Sequence, residues 1–200
     1  MSNPIEFFFD LSSPYGYFAS TQIEALATKH GREVVWRPYL MGAALKLMNQ
    51  PPNVEIPLKG DYARRDFDRT ARWFGVPFRT PDPFPVATVA AARAFYWVDA
   101  QDPKRAKEFA MALYKAYFVE GINISDAENV VGVAATIGLD AEALRAGMAA
   151  PAVKERLKAV TDEAVRRNIF GSPFIVVDGE PFWGTDRLPQ VERWLANGGF

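Results

Sequence analysis

The chain has 200 residues with 24 acidic and 23 basic side chains, one histidine and no cysteine. The lack of cysteine excludes disulfide exchange by the protein's own thiols and cysteine-ligated zinc, and a single histidine excludes multi-histidine metal sites. Without a basic cluster, a long apolar run or a secretory signal, the sequence predicts a cytoplasmic protein that binds neither nucleic acid nor a membrane.

The opening stretch predicts a strand that runs into a helix. Residues 5–9 are apolar and aromatic, which is typical of a buried strand. Pro14 follows Ser13, a candidate N-cap, and Gly31 ends a helix predicted over 14–30. The Ser13 hydroxyl then lies at a helix amino end, where N–H groups and the dipole favour a thiolate or carboxylate. The alternative is that Ser13 only caps the helix.

The next segments predict a second strand and a loop. Residues 33–37 have strand character, and a helix between two strands makes them parallel. A short helix is predicted over 40–48, whereas the prolines within 50–57 predict an irregular loop of a length that is usually functional. Its useful polar residues are Lys46 and Asn53, which could equally be solvated loop residues.

The middle of the chain predicts helices only. Apolar residues recur at helical spacing through 61–169, apart from a proline-rich connector at 75–85. Ser125 begins a predicted capping box. The helix predicted over 61–75 has one half-aromatic, half-charged stripe, formed by Tyr62, Asp66, Arg69 and Trp73. That stripe suits a domain or subunit contact, or alternatively a solvated flank.

The end of the chain returns to strands. Residues 173–177 and 180–183 flank Asp178-Gly179, a signal for a two-residue type I′ turn, and predict a β-hairpin. A last helix follows, with Thr185 or Asp186 as its predicted N-cap. Its amino end is a second place where a negative group would be stabilised.

The order of elements, β-α-β, helices, β-β-α, predicts an α/β fold in which a thioredoxin-like domain is interrupted by an all-helical one. We expect the thioredoxin-like domain to comprise 1–40 and 170–200, and the inserted helical domain to comprise 41–169. In such a sheet the amino end of the first helix meets the loop before the hairpin. Ser13 should therefore lie near Ser172-Pro173, whose backbone could pair with an extended peptide ligand.

Six motifs between Ile5 and Leu195 resemble those of the 2-hydroxychromene-2-carboxylate isomerases, close relatives of kappa-class glutathione transferases. In chain order they are Phe9-Asp-Leu-Ser-Ser-Pro-Tyr15, Asn49-Gln-Pro-Pro-Asn53, the helix with Tyr62, Asp66 and Arg69, Tyr117-Phe-Val-Glu-Gly121, Gly171-Ser-Pro-Phe174 and Phe182-Trp-Gly-Thr-Asp-Arg187. The resemblance implies glutathione as cofactor, a small aromatic or electrophilic substrate, a homodimer and a role in aromatic catabolism in the cytoplasm.

The resemblance also implies roles for residues. Ser13 would be the catalytic residue that faces the glutathione sulfur, in preference to Ser12, which is one residue further from the proline. Pro173 would be cis. The remaining contacts with glutathione or substrate would be made by the Ser172 backbone at the cysteinyl part, by Thr185 and Asp186 at the γ-glutamyl end, by Asn53 and, with looser spacing, by Lys46.

The implied reaction is an isomerisation through the glutathione thiolate. The thiolate adds to 2-hydroxychromene-2-carboxylate, the ring opens and one bond rotates. The glutathione thiolate is then expelled, which gives trans-o-hydroxybenzylidenepyruvate. A free thiol titrates at about 8.5, so a hydroxyl donor and a helix amino end would both favour the thiolate. Two alternatives stay open: a kappa-type transferase or peroxidase acting on electrophiles, and a non-catalytic thioredoxin-like binding module without affinity for glutathione.

Overall fold

A computed structural model describes residues 3–200. Its four strands form one mixed sheet. The strands are β1 Ile5–Phe9, β2 Val34–Pro38, β3 Phe174–Val177 and β4 Glu180–Trp183, in the spatial order β2-β1-β3-β4. β1 and β2 are parallel, β3 pairs antiparallel with β1, and β4 pairs antiparallel with β3. The predicted β-α-β unit and hairpin are confirmed, although β2 begins and ends one residue later than predicted.

The helices supply the rest of the regular structure of residues 3–200. They are α1 Pro14–Ser20, α2 Ile23–Lys29, α3 Met41–Leu47, α4 Lys59–Phe74, α5 Val89–Asp99, α6 Pro103–Lys115, α7 Ala127–Thr136, α8 Ala141–Ala149, α9 Pro151–Arg166 and α10 Leu188–Asn197. Among them, none combines the length and apolar character needed to cross a bilayer. Every regular element between β2 and β3 is helical or a helical turn, which confirms the predicted fold class. The domain division at 41 and 169 stays a prediction.

The aromatic residues of strand β1 are buried on both faces of the sheet. Phe7, Phe8 and Phe9 have no exposed surface. Phe9 packs against Phe7 and against Phe95 of α5, with ring centroids 5.1 and 6.1 Å apart. Phe8 points the other way, towards Tyr39 at 6.3 Å. The sheet and the helices therefore share one continuous apolar core.

The prediction of one continuous helix over 14–30 is wrong, because the segment forms two helices and α1 ends at Ser20. The hydroxyls of Ser20 and Thr21 each donate to the carbonyl three residues earlier, at 2.6 and 2.7 Å. The Gln22 N–H also bonds three residues back, at 3.0 Å. Such bonds compete with the regular helical pattern and tighten its last turn. The amino end that carries the candidate serine thus belongs to a helix of seven residues.

The N-caps predicted for α7 and α10 are wrong, and at Ser125 and Thr185 other partners take the hydroxyls. Ser125 bonds to the side chain of Asn123 through its N–H and its hydroxyl, at 3.0 and 2.7 Å, so Asp126 caps α7 instead. Thr185 donates to a backbone carbonyl of α1 at 2.7 Å. Neither Thr185 nor Asp186 caps α10, because both lie in a short 3₁₀ turn before it.

A charge cluster on the outer face of the sheet makes stability depend on pH. Glu6 pairs with Arg167 at 2.6 Å and with Arg37, and both arginines also pair with Glu163. The hydrogen bond from Arg167 chiefly holds the pKa of Glu6 below its ordinary value of 4.5, against the opposing effect of burial. Burial raises the pKa of Glu163, but the two arginines outweigh it and lower that pKa overall.

We expect Glu6→Gln to lower the free energy of unfolding at neutral pH by roughly 1 kcal/mol, the upper end for exposed pairs because several charges share this network. A carboxylate with a lowered folded pKa stabilises the fold above its unfolded pKa and loses that effect as the pH falls through the folded value. The difference from wild type should therefore shrink below about pH 4.5. Urea unfolding across this range measures it, with exposed Glu155→Gln as control. A difference independent of pH would contradict the prediction.

Candidate active site

A cleft of about 1440 Å³ opens where the β1–α1 turn meets the loop before β3, and α4 forms its opposite wall. Five of the seven predicted site residues line it, namely Ser13, Asn53, Ser172, Thr185 and Asp186. Pro173 and Lys46 are not among its lining residues. The fold thus brings together most of the predicted site from segments far apart in the chain, while the roles of these residues stay predictions.

Ser13 lies at the centre of this arrangement and is only 5% exposed. Its Oγ accepts a hydrogen bond from the Gly16 N–H at 3.1 Å, which confirms the predicted cap of α1. The same hydroxyl donates to the Ser172 carbonyl at 2.9 Å, so the predicted meeting of the two segments is also confirmed. To donate to a ligand, the hydroxyl proton has to turn away from that carbonyl, which a hydroxyl rotor can do.

The neighbouring Ser12 is tied to the proline-rich connector. Its Oγ accepts from the Val86 N–H at 3.0 Å. Tyr117 lies beside it and donates to the Pro83 carbonyl at 2.9 Å. Burial raises the pKa of Tyr117 to about 12, although a hydrogen bond with Ser12 opposes the rise. Ser12 therefore holds the connector against the β1–α1 turn, and it lines the same cleft as Ser13.

The loop before β3 has the predicted cis peptide bond between Ser172 and Pro173. The Ser172 Oγ accepts from the Asp10 N–H at 2.9 Å. Gly16 approaches this loop so closely that a Cβ there would lie 2.8 Å from the Ser172 Oγ. Close packing of α1 on the loop thus requires glycine at position 16, a requirement that comes from tertiary contact rather than from helix propensity.

A hydrogen-bonded chain links α1 to α4 across one wall of the cleft. The Tyr15 hydroxyl donates to Asp66 Oδ2 at 2.5 Å, Asp66 pairs with Arg69, and Arg69 donates to the Tyr62 hydroxyl at 3.0 Å. Burial and the Asp66 carboxylate raise the pKa of the Tyr15 phenol, so it stays protonated and a donor. The stripe predicted on this helix as a contact face reaches α1 through Asp66, while Tyr62 and Trp73 stay exposed.

Lys59 is a cleft residue that sequence reasoning missed. It lines the cleft at the start of α4, and within residues 3–200 it takes part in no ion pair. The three other cations that line the cleft are paired, Lys29 with Glu192, Arg69 with Asp66, and Arg187 weakly with Asp186 at 3.6 Å. The signal that could have found Lys59 is its position directly after the proline-rich loop, just before the predicted helix.

Two aromatic side chains form a further wall beside the Ser172 loop. Phe170 and Trp183 are 37% and 52% exposed, and their rings meet edge to face at 4.8 Å. Trp183 rests on Gly171, where a Cβ would lie 2.1 Å from the indole Nε1. Because both rings line the cleft, they offer an apolar surface to a planar ligand next to Ser172.

Comparison with known proteins gives four consistent matches. The family described as "DSBA-like thioredoxin domain" matches residues 4–196. The chain is 31% identical to a 2-hydroxychromene-2-carboxylate isomerase of Sphingobium xenophagum over 98% of this chain and all of that protein. It is 26% identical to glutathione S-transferase kappa 2 of Caenorhabditis elegans over 96% of this chain and 91% of that one. A solved structure of a 2-hydroxychromene-2-carboxylate isomerase superimposes with a TM-score of 0.86 at 25% identity, covering 97% and 95% of the two chains.

Proposed function

This chain belongs to the DSBA-like thioredoxin domain family, and from that premise we propose that it is a glutathione-dependent isomerase interconverting 2-hydroxychromene-2-carboxylate and trans-o-hydroxybenzylidenepyruvate. Its relatives named isomerases and glutathione transferases are similar to it over nearly their whole length. The observation that supports the proposal most is the buried contact between Ser13 and Ser172 inside a large cleft. A hydroxyl donor stands there beside a backbone suited to an extended peptide.

Glutathione fits this cleft in size and charge. The volume of about 1440 Å³ exceeds the usual 300–1,000 Å³ of a single small-molecule site, which leaves room for a second substrate. Glutathione has two carboxylates and one ammonium group. Of the charged residues that line the cleft, Lys59 takes part in no ion pair within residues 3–200, and Arg187 and Asp186 pair only weakly with each other, at 3.6 Å. When bound, glutathione supplies the thiolate that a chain without cysteine cannot provide.

The chain's own residues hold and activate that thiol. Ser13 turns its hydroxyl from the Ser172 carbonyl to the sulfur, and the Ser172 N–H pairs with the cysteinyl backbone. A hydrogen bond to a charged acceptor contributes about 1.5–3 kcal/mol, which lowers a thiol pKa by about one to two units. The amino end of a helix contributes only about 0.3–1 kcal/mol, so the hydroxyl makes the larger contribution.

A second candidate is a kappa-type transferase acting on electrophiles. The similarity to the nematode kappa transferase supports it, because the same serine and loop would serve either reaction. Turnover of the chromene carboxylate without net consumption of glutathione indicates the isomerase. Consumption of glutathione with a chlorinated nitroarene indicates the transferase.

Calorimetric titration with glutathione tests the proposal itself. We expect saturable binding at one site per chain, which S-methylglutathione should share more weakly because it cannot form a thiolate. A chain that releases no heat with glutathione and turns over neither substrate would be a binding module without this chemistry, and the proposal would be wrong.

Lys59 is expected to take the role that the resemblance implied for Lys46. We propose that Lys59 binds a carboxylate of glutathione or substrate, because it lines the cleft and Lys46 does not. Lys59→Ala should raise the Kd or KM of the anionic ligand about tenfold, which corresponds to about 1.4 kcal/mol. Lys46→Ala is the matched control and should change neither. Equal effects of the two substitutions would contradict this assignment.

A further inference from the structure

Asp10 is a buried carboxylate at the end of β1 that the proposed chemistry does not use. Its Oδ1 accepts from the Ser12 N–H at 2.9 Å and from the Thr88 hydroxyl at 3.1 Å. Its Oδ2 accepts from the Met41 N–H at 3.0 Å. All three donors are uncharged, so dipoles from three separate segments hold the carboxylate. Burial raises the pKa of Asp10, and these hydrogen bonds oppose the rise.

The backbone of Asp10 forms hydrogen bonds with both Ser13 and Ser172, the two residues whose contact lies at the centre of the cleft. Its carbonyl accepts from the Ser13 N–H at 2.9 Å and from the Tyr114 hydroxyl at 3.2 Å. Its N–H donates to the Ser172 Oγ at 2.9 Å. One residue therefore touches the turn that carries Ser13, the loop that carries Ser172 and the buried face of α6.

We propose that Asp10 is a positioning residue whose carboxylate clamps the Ser12–Ser13 turn, so that the Ser13 Oγ is held at the place in the cleft from which its hydroxyl can turn to a thiol. The inference rests on the proposed function, since it assigns Asp10 a part in the same chemistry. Asp10 is not among the residues that line the cleft, so it acts through Ser13 rather than on the ligand. Met41 at the start of α3 and Thr88 directly before α5 donate to the carboxylate and so fix its position relative to the Ser12–Ser13 turn.

The carboxylate suits this task for a chemical reason. Its two oxygens accept from three donors that come from three separate segments, which a single acceptor atom cannot do in this arrangement. Leaving a donor unpaired in the interior costs about 1–3 kcal/mol and loosens the turn.

The test compares two substitutions of the clamp with one matched control. Asp10→Asn keeps the shape but turns one acceptor into a donor, and Thr88→Val removes one of the three donors. Thr161→Val is the control with the same threonine-to-valine change. The Thr161 hydroxyl accepts from the Leu40 N–H at 3.2 Å, and its removal leaves the three donors to the Asp10 carboxylate in place. The readouts are the pKa of the bound glutathione thiol, from its ultraviolet absorbance against pH, and the glutathione affinity by calorimetry.

We expect Asp10→Asn to raise the bound thiol pKa by about one unit, a tenfold loss of thiolate preference, and Thr88→Val to raise it less. The affinity for glutathione should change little, and Thr161→Val should leave the thiol pKa unchanged. A purely structural role would lower stability without moving the thiol pKa and would overturn the inference. If Asp10→Asn does not fold, Thr88→Val decides by the same measurement.

The wild-type protein separates this inference from the proposed function. If the wild type binds no glutathione, both are wrong. If it binds glutathione with a lowered thiol pKa and the clamp substitutions leave that pKa where it is, the inference about Asp10 alone is wrong.

Discussion

Ser13→Ala is expected to raise the pKa of the bound glutathione thiol by about one to two units while glutathione still binds. The substitution removes the hydroxyl that we propose donates to the sulfur and leaves the Ser172 backbone in place. At neutral pH the thiolate fraction, and with it the turnover, should fall about tenfold or more, because each pKa unit is a factor of ten. Thiol absorbance against pH and the rate of chromene isomerisation measure the two effects.

The structure adds a second consequence of Ser13→Ala, which needs its own control. Ser13 also caps α1 through the Gly16 N–H, and loss of an N-cap costs about 0.5–2 kcal/mol of stability. Asp140 caps α8 through the Ala143 N–H at 3.0 Å, and it does not line the cleft. Asp140→Ala should therefore lower stability by a similar amount and leave the thiol pKa unchanged.

Ser13→Thr completes the comparison, because it keeps a hydroxyl and should recover much of the lowered thiol pKa. The prediction is contradicted if Ser13→Ala is less stable but has the thiol pKa and turnover of the wild type. Ser13 would then be a helix cap and nothing more, and the site would need another donor.

Phe9→Ala is expected to lower the free energy of unfolding by about 3–5 kcal/mol, the usual cost of deleting a fully buried phenylalanine. The Phe9 ring lies 5.3 Å from Trp36 of β2, 6.1 Å from Phe95 of α5 and 6.0 Å from Tyr114 of α6. These side chains belong to the sheet and to the helices, so the cavity would open between them. A domain with an ordinary free energy of unfolding, about 5–15 kcal/mol, would therefore lose a large part of that free energy.

Urea unfolding followed by tryptophan fluorescence and circular dichroism measures this loss. Because sheet and helices share one core, we expect one transition that shifts as a whole. Phe200→Ala is the control: its ring is 66% exposed, and its removal should cost less than about 1 kcal/mol. Two separate transitions, of which Phe9→Ala shifts only one, would show that the predicted domains fold independently and would contradict this expectation.

The parts of the fold that the sequence predicted correctly depend on neighbouring residues. The hairpin was predictable because a type I′ turn needs two residues with positive φ, and Asp178 and Gly179 have φ of 52° and 93°. The cap by Ser13 was predictable because its partner, the Gly16 N–H, lies three residues away. The same rule was wrong at Ser125 and Thr185, where other partners took the hydroxyls.

The sequence by itself therefore determined the four strands, the helical middle and the serine at the start of α1, since each follows from interactions within a few residues. Only the tertiary structure decided that Lys59 rather than Lys46 lines the cleft, and that Asp10 touches both Ser13 and Ser172. The bond between Ser13 and Ser172 spans 159 positions of the chain. The physical reason is that local rules assign each donor a partner one turn away, whereas the cleft consists of donors and acceptors that meet only when distant segments pack.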